Sequence, residues 1–281
     1  MEIVYISRSI LPSRAANSVH VMKMCQALAQ NSHIVTLVAA KITKNQTEDL
    51  FNYYGVQENF KIMLLNGRTD KAAGLLLYLI NFYLYIKKAK PPELFYSRDL
   101  FTLTLATLLI NTPFLYETHK PPTTFIHSYL TRRLLKNKNL KKIVVITGAL
   151  KGEYLKKFPS LPAEKITVAP DGADIPDTQM YKKAFKAKKD KLIIGYVGNL
   201  YPGRGMEIIY AVAKEIPQYD FNIIGGSMKD IVYWQNACQE LKNIFFKGFV
   251  PHGELYIYYA EIDIVLAPYQ KIGICFCLEQ L

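Results

Sequence analysis

KLIIGYVGNLYPGRGMEIIYAVAKEIPQYDFNII, residues 191–224, reads as strand, loop, helix and strand in turn. Lys191–Val197 is an apolar run, Gly205–Ile216 spaces its apolar residues as a helix does, and Tyr219–Ile224 is apolar again. Strands that are apolar along their whole length are buried on both faces, and the order strand–helix–strand implies parallel neighbours joined by a right-handed crossover. The loop has its own chemistry. Gly198 closes the first strand, Pro202 and Gly203 bend the chain, and Gly205 opens the helix behind Arg204. Glycines allow close backbone approach, a helix N-terminus offers N–H groups and positive potential, and a guanidinium adds a fixed cation. Together these suit a diphosphate. A plain βα turn satisfies the same spacing, and the loop is neither a GxGxxG fingerprint nor a GxxxxGK[ST] loop.

The same rhythm runs outward in both directions. Downstream come FNIIGG (221–226), a helix over Asp230–Leu241, a short strand Ile244–Phe246, a helix over Gly253–Ala260 and a strand Asp263–Ala267. Upstream, strands are expected at Glu2–Ile6, Ile34–Ala40, Lys61–Leu65, Glu93–Ser97, Pro113–Tyr116, Lys142–Ile146 and Ile166–Ala169. Ser18 is placed to cap a helix over Val19–Gln30. Residues 170–190 are polar and Lys-rich with two prolines, which reads as a connection. The expected architecture is α/β, with two tandem Rossmann-like doubly wound parallel sheets. The first covers 1–175, a linker covers 176–190, and the second covers 191–281. The second is expected to be incomplete, with four strands where a full sheet of this kind has about six. Its last stretch, KIGICFCLEQL, does not resemble a closing helix.

Composition excludes several classes. Half of the 281 residues are apolar, which argues for folded cores. The longest uncharged apolar run, Ala72–Ile86, contains Asn81 and is too short to span a bilayer. MEIVYISR lacks a basic segment followed by an apolar one, so no signal peptide is expected. Cys25, Cys238, Cys275 and Cys277 form no disulfide framework, and a reducing cytoplasm fits them. Cys275 and Cys277 have no second ligand pair for zinc. The net charge of +12 is concentrated upstream, with 11 Lys+Arg against Glu153 and Glu164 between residues 120 and 165. Such a surface suits an anionic partner or is simply a solvated basic face. Thr123–Lys142 combines helical apolar spacing with Arg132, Arg133, Lys136 and Lys138, as a helix resting on an anionic leaflet would; core packing explains the stripe equally well. No recognition motif supports nucleic-acid binding.

The succession YVGNLYPGRG, NIIGG, KGFVPHGEL and EIDIVLAP resembles the donor domain of glycosyltransferase group 1, a family of two-domain GT-B-fold enzymes. SRSILPSRAANSVHVMKMCQALAQ is similar to that family's first loop and helix, and YETH (116–119), VVITGALKGEYLKKF (144–158) and VAPDGAD (168–174) follow in family order. The resemblance implies a cytoplasmic enzyme that binds a nucleotide-diphosphate sugar between two Rossmann-like domains. It would transfer the sugar, with retention and without a metal or other cofactor, to a polysaccharide or glycolipid acceptor. The absence of a D-x-D motif agrees with metal independence.

The resemblance also implies site residues. Gly198, Asn199, Arg204, Gly205, Gly225, Gly226, Val250 and Pro268 would surround the donor. His119, oriented by Glu117, would meet the donor sugar just past a strand end. Arg8, Asn17, Ser18 and Arg98 would meet the acceptor. Arg98 has a second reading, as the ion-pair partner of Asp99. His20 is read as structural or acceptor-facing, Asp171 and Asp174 as a turn at the hinge, and Trp234 as helix packing. The chain departs from the pattern in three places. Asn199 stands where an Arg is common, Ala15-Ala16 where a glycine pair is common, and Glu279 has no partner seven residues away. These departures keep two alternatives open: a truncated remnant that binds acceptor or membrane without turnover, and a nucleotide-sugar epimerase on the same fold.

Overall fold

Burial on both faces is what the unbroken apolar runs demand, and the inner strands of two parallel sheets supply it. The computed structural model describes residues 1–41, 49–175 and 191–270, which divide into two units, Met1–Ala173 and Asp174–Leu281. The expected linker 176–190 and the stretch 271–281, with Cys275, Cys277 and Glu279, lie outside the described residues.

Unit 1 contains β1 (Glu2–Ile10), β2 (Ile34–Lys41), β3 (Lys61–Asn66), β4 (Leu94–Ser97), β5 (Phe114–Thr118), β6 (Leu140–Val145) and β7 (Ile166–Val168). They form one parallel sheet in the order β3-β2-β1-β4-β5-β6-β7. Its helices are α1 (Ala16–Gln30), α2 (Leu50–Tyr54), α3 (Ala72–Lys88), α4 (Leu100–Leu109), α5 (Phe125–Leu135) and α6 (Gly148–Lys157). Alternate strand residues feed two cores. Tyr5 and Leu37 pack with Val21, Met22 and Tyr54 from α1 and α2. Ile6, Val38 and Ile143 pack with Phe82, Leu103, Leu134 and Tyr154 from α3 to α6. The strand order turns back between β1 and β4, and crevices at the carboxyl ends of strands form at such a switch point.

A bulge sharpens that crevice. β1 pairs with β2 up to Ile6↔Val38 and resumes at Ile10↔Ala40, so Ser7, Arg8 and Ser9 stand opposite Ala39 alone. Pairing of β1 with β4 ends at Ile6↔Ser97. Bulges of this kind re-aim side chains beside functional sites.

Two local expectations are corrected. Ser18 does not cap α1: the cap position is Ala15, and Ser18 lies inside the first turn, donating its hydroxyl to Ala15 O at 2.8 Å. Residues 123–142 are not one helix. Thr124 caps α5 through His127 N, the helix stops at Leu135, and Leu140 already begins β6. Lys141 and Lys142 are therefore strand residues.

Unit 2 contains β8 (Ile193–Val197), β9 (Asp220–Ile224), β10 (Ile244–Gly248) and β11 (Ile264–Leu266), all parallel in the order β10-β9-β8-β11. Its helices are α7 (Met206–Glu215), α8 (Met228–Ala237) and α9 (Leu255–Tyr259). The helix expected from Asp230 starts at Met228 because Ser227 caps it, accepting from Asp230 N. Tyr196, Ile209, Phe221 and Trp234 fill the core.

Candidate functional site

In unit 1 the strand ends converge on one carboxylate. Glu117, next to the end of β5, is 2% exposed. Its Oε2 accepts from Tyr96 Oη at 2.8 Å, and its Oε1 lies 2.6 Å from His119 Nε2. His20 Nε2, from α1, is 2.8 Å from the same oxygen, a close approach without hydrogen-bond alignment. Arg98 Nε, just past β4, stands 3.5 Å away. The two imidazoles meet edge to face at 5.1 Å. Asp171, beyond β7, places Oδ1 3.3 Å from His20 Nδ1 and 3.9 Å from His119 Nε2.

Burial alone would raise the Glu117 pKa. The hydrogen bond from His119 and the close approach of His20 and Arg98 outweigh it and hold the carboxyl well below the usual carboxylate range. Burial, then the Glu117 charge and its hydrogen bond, push the Tyr96 phenol up, so Tyr96 donates as a neutral group. An ionised Glu117 accepts only, so His119 donates to it through Nε2.

A pocket of about 330 Å³ opens beside this cluster, at the switch point. Ser7, Arg8 and Ser9 of the bulge, Asn17 of α1, and Arg98 and Asp99 after β4 line it. Asn17 Nδ2 donates to Ser9 Oγ at 3.2 Å, and Ser7 Oγ to Ser9 Oγ at 2.8 Å. The Asp99 carboxylate caps α4, accepting from Thr102 N at 2.8 Å, and its other oxygen pairs with Arg8 Nε. The partner of Asp99 is therefore Arg8, while Arg98 turns to Glu117. Arg8 also lies 4.9 Å from the centroid of the Phe101 ring. Ser18, expected at the acceptor, is 0% exposed and bonds Ser13 Oγ at 2.5 Å, so it closes the first loop rather than facing the pocket.

The residues expected around the donor all belong to unit 2. Gly198 follows β8, and Gly198 N donates to Ile224 O at 2.9 Å. Arg204 precedes α7, bonded to Tyr201 Oη, with its guanidinium 4.7 Å from the Tyr201 ring centroid and 5.0 Å from that of Tyr269. Trp234 Nε1 donates to Leu200 O at 3.2 Å and anchors the loop from below. Tyr196 Oη donates to Asn199 O at 2.6 Å. Gly225 adopts φ +110°, and a Cβ there would overlap Gly198 O. Gly205, at φ +85°, lies equally close to Pro268 O. Both glycines are thus required by close approach of the chain to itself, which the spacing alone did not separate from approach to a ligand. Gly226 meets Leu200, and Val250, after β10, is buried.

His20, His119 and Asp171 are a group of potential metal ligands, with one ligand atom each within 4.8 Å of one another. His119 Nε2 already bonds Glu117, and both nitrogens of His20 lie within 3.3 Å of a carboxylate oxygen. Sequence reasoning read Asp171 as a turn and left His20 apart from His119. Only the parallel topology, which brings the carboxyl ends of β1, β4, β5 and β7 to one edge, shows that they meet.

Residues 177–278 match the family model described as Glycosyl transferases group 1. A curated relative, an uncharacterized 41.2 kDa protein in the cps region of Klebsiella pneumoniae, is 32% identical over 85 residues, which is 30% of this chain and 23% of that protein. The chain therefore matches under a quarter of that relative's length. Among solved structures, sucrose-phosphate synthase from Thermosynechococcus elongatus is similar with a TM-score of 0.69 at 16% identity, over 97% of this chain and 77% of that one. HepE from Anabaena, in complex with UDP and glucose, is similar with a TM-score of 0.62 at 14% identity, over 94% and 73%. At these identities the likeness is one of fold. Residues 177–278 are a group 1 glycosyltransferase domain, and the two units carry the GT-B fold. No helix among the described residues is long and apolar enough to cross a membrane.

Proposed function

We propose, for a chain whose C-terminal unit is a group 1 glycosyltransferase domain on a GT-B fold, that it transfers a sugar from a nucleotide-diphosphate sugar to a polysaccharide or glycolipid acceptor. Transfer would proceed with retention and without a metal ion. The observation that carries this reading is the loop from Gly198 to Gly205, where Arg204 is held by Tyr201 and Tyr269 directly ahead of α7. Breaking the bond from sugar to diphosphate leaves negative charge on the departing phosphate, and fixed donors stabilise it without reorganising. Arg204 supplies a cation, and the first turn of α7 supplies N–H groups that have no partner inside the helix. Gly225, Gly226, Val250 and Pro268 would form the floor and walls around the nucleotide. The description of HepE with UDP and glucose supports the same donor class.

In unit 1, His119 would hydrogen-bond a sugar hydroxyl through Nδ1 or meet the positive sugar with its carbonyl, with Glu117 holding the ring. Arg8, Asn17 and Arg98, with the serines of the bulge, would hold the acceptor. Its oxygen bonds to the anomeric carbon on the face the diphosphate leaves, and its proton departs with the diphosphate. Arg8 and Arg98 each face a carboxylate, so the pocket is close to neutral and suits hydroxyl-rich acceptors. Buried, unpaired Cys25 and Cys238 agree with a cytoplasmic location. An anionic membrane surface is part of the reading, as the place where a lipid-linked acceptor is met.

UDP or GDP should raise the melting temperature of the full chain. Saturation near 100 times Kd corresponds to about 2.7 kcal/mol. Arg204→Ala should remove the shift while leaving the unliganded melting temperature within a few degrees. If neither nucleotide changes stability, the donor-site reading fails. Release of nucleotide only when acceptor is present separates transfer from epimerisation.

A further inference from the structure

The helix layer of unit 1 presents an outward face that a water-exposed surface does not explain. On α3, Tyr78, Phe82 and Ile86 point into the core. Leu76, Leu77, Ile80, Tyr83 and Leu84 form a second stripe on the opposite side, with Leu76 61% and Ile80 49% exposed. Single exposed apolar residues are ordinary, but contiguous patches mark contact sites. α4 packs between α3 and α5 and adds exposed Leu108. α5 adds Phe125, Ile126 and Tyr129, the first 85% exposed.

The charged residues on these three helices are all basic. Exposed Lys87 and Lys88 end α3, and exposed Arg132 and Arg133 end α5. Lys87 Nζ stands 5.4 Å from the Tyr83 ring centroid, so cation and apolar stripe are in contact. Neither α3, α4 nor α5 contains an acidic residue. A second copy of the same face would bring these cations together, and a self-matching contact needs complementary charge. An anionic lipid leaflet is apolar below and negative above, and complements both features. Helices with one apolar face and flanking cations lie in the interface plane.

We infer that α3, with the start of α5, is the docking surface of this protein for an anionic membrane leaflet. The sequence offered 123–142, with its apolar stripe and basic residues, for such a contact; α3 is added to it as the main surface. The inference rests on the membrane partner named above and not on sugar transfer. Vesicle binding is read with no donor or acceptor present, so either reading can fail alone.

The test is co-sedimentation of the full chain with vesicles of phosphatidylglycerol and phosphatidylcholine, and with phosphatidylcholine alone. Binding should be at least about tenfold stronger to the anionic vesicles and should fall with salt. Leu77→Ser with Ile80→Ser, both on the exposed stripe, should weaken it at least about tenfold with circular dichroism and melting unchanged. Lys87→Ser with Lys88→Ser should weaken it on the order of tenfold or more, about fivefold per charge. Equal partition onto both vesicle types would overturn the inference, as would unchanged binding by the serine variants. A dimer in sedimentation velocity that the Leu77→Ser, Ile80→Ser variant dissolves, without lipid binding by the parent, would assign the face to a second copy instead.

Discussion

Replacing Glu117 by Gln keeps the size of the side chain and removes its charge. The consequences follow from the four groups around it. Tyr96 Oη at 2.8 Å and His119 Nε2 at 2.6 Å donate directly, and His20 and the Arg98 guanidinium approach the same carboxylate. An amide can accept from one side only and turns its NH₂ toward donors on the other. Hydrogen bonds to charged groups contribute about 1.5–3 kcal/mol each, and breaking a fully buried pair costs about 3–5 kcal/mol. His20, His119 and Arg98 keep 18–21% exposure, so they recover part of their hydration once Glu117 is gone. A loss of about 2–3 kcal/mol near neutral pH is therefore expected. The pH dependence is the sharper test. Folding lowers the Glu117 pKa, so its contribution is fully present above the unfolded value of about 4.3 and fades as pH falls through the folded value. Below about pH 4.3 the unfolded chain takes up a proton that the folded chain refuses, and the parent loses about 1.4 kcal/mol per pH unit through this group. The gap between parent and Glu117→Gln should narrow by about 1.5–2 kcal/mol between pH 6 and pH 3. Urea unfolding by far-ultraviolet circular dichroism measures it, and fluorescence of Trp234, the one tryptophan, follows unit 2 separately. A gap that stays constant with pH, or no gap at neutral pH, would refute an ionised Glu117 as the anchor of the two histidines.

Gly225→Ala puts a side chain at φ +110° against Gly198 O. It should cost upwards of about 2 kcal/mol and lower the midpoint followed by Trp234 fluorescence, whereas Gly152→Ala, with nothing near its Cβ, should not. Zinc or manganese should leave the melting temperature of the full chain unchanged, because the nitrogens of His20 and His119 already face carboxylates. A rise of several degrees that His20→Ala abolishes would instead give His20, His119 and Asp171 to a metal.

The βα rhythm was readable because most strands carry a run of apolar residues and several turns carry their own punctuation, as Gly198, Gly205 and Ser227 do. The pair Glu117 and His119 was readable for a local reason: two residues apart at a strand end, they share one edge of the sheet. His20 and Asp171 were not, because they come from α1 and from beyond β7, and only strand order decides which carboxyl ends become neighbours. The bulge at Ser7–Ser9 was hidden too. It is a mismatch of register with β2, and register belongs to the pair rather than to either strand. Asp99 shows the limit of adjacency as a guide. The neighbouring Arg98 is aimed at Glu117, while Arg8 arrives from β1 because the bulge turns it toward β4.

The helix α3 carries the argument furthest. Its sequence, AAGLLLYLINFYLYIKK, is apolar on every side, so periodicity could not say which face is buried. A helix of that kind belongs inside a core or against lipid. Tyr78, Phe82 and Ile86 satisfy the first environment on one face only. Ridge contacts with α4 cover the flank, yet Leu76, Ile80 and Leu84 still face outward. A surface kept apolar there while Lys87 and Lys88 close its end is a composition that water alone does not favour, and that a negatively charged leaflet does.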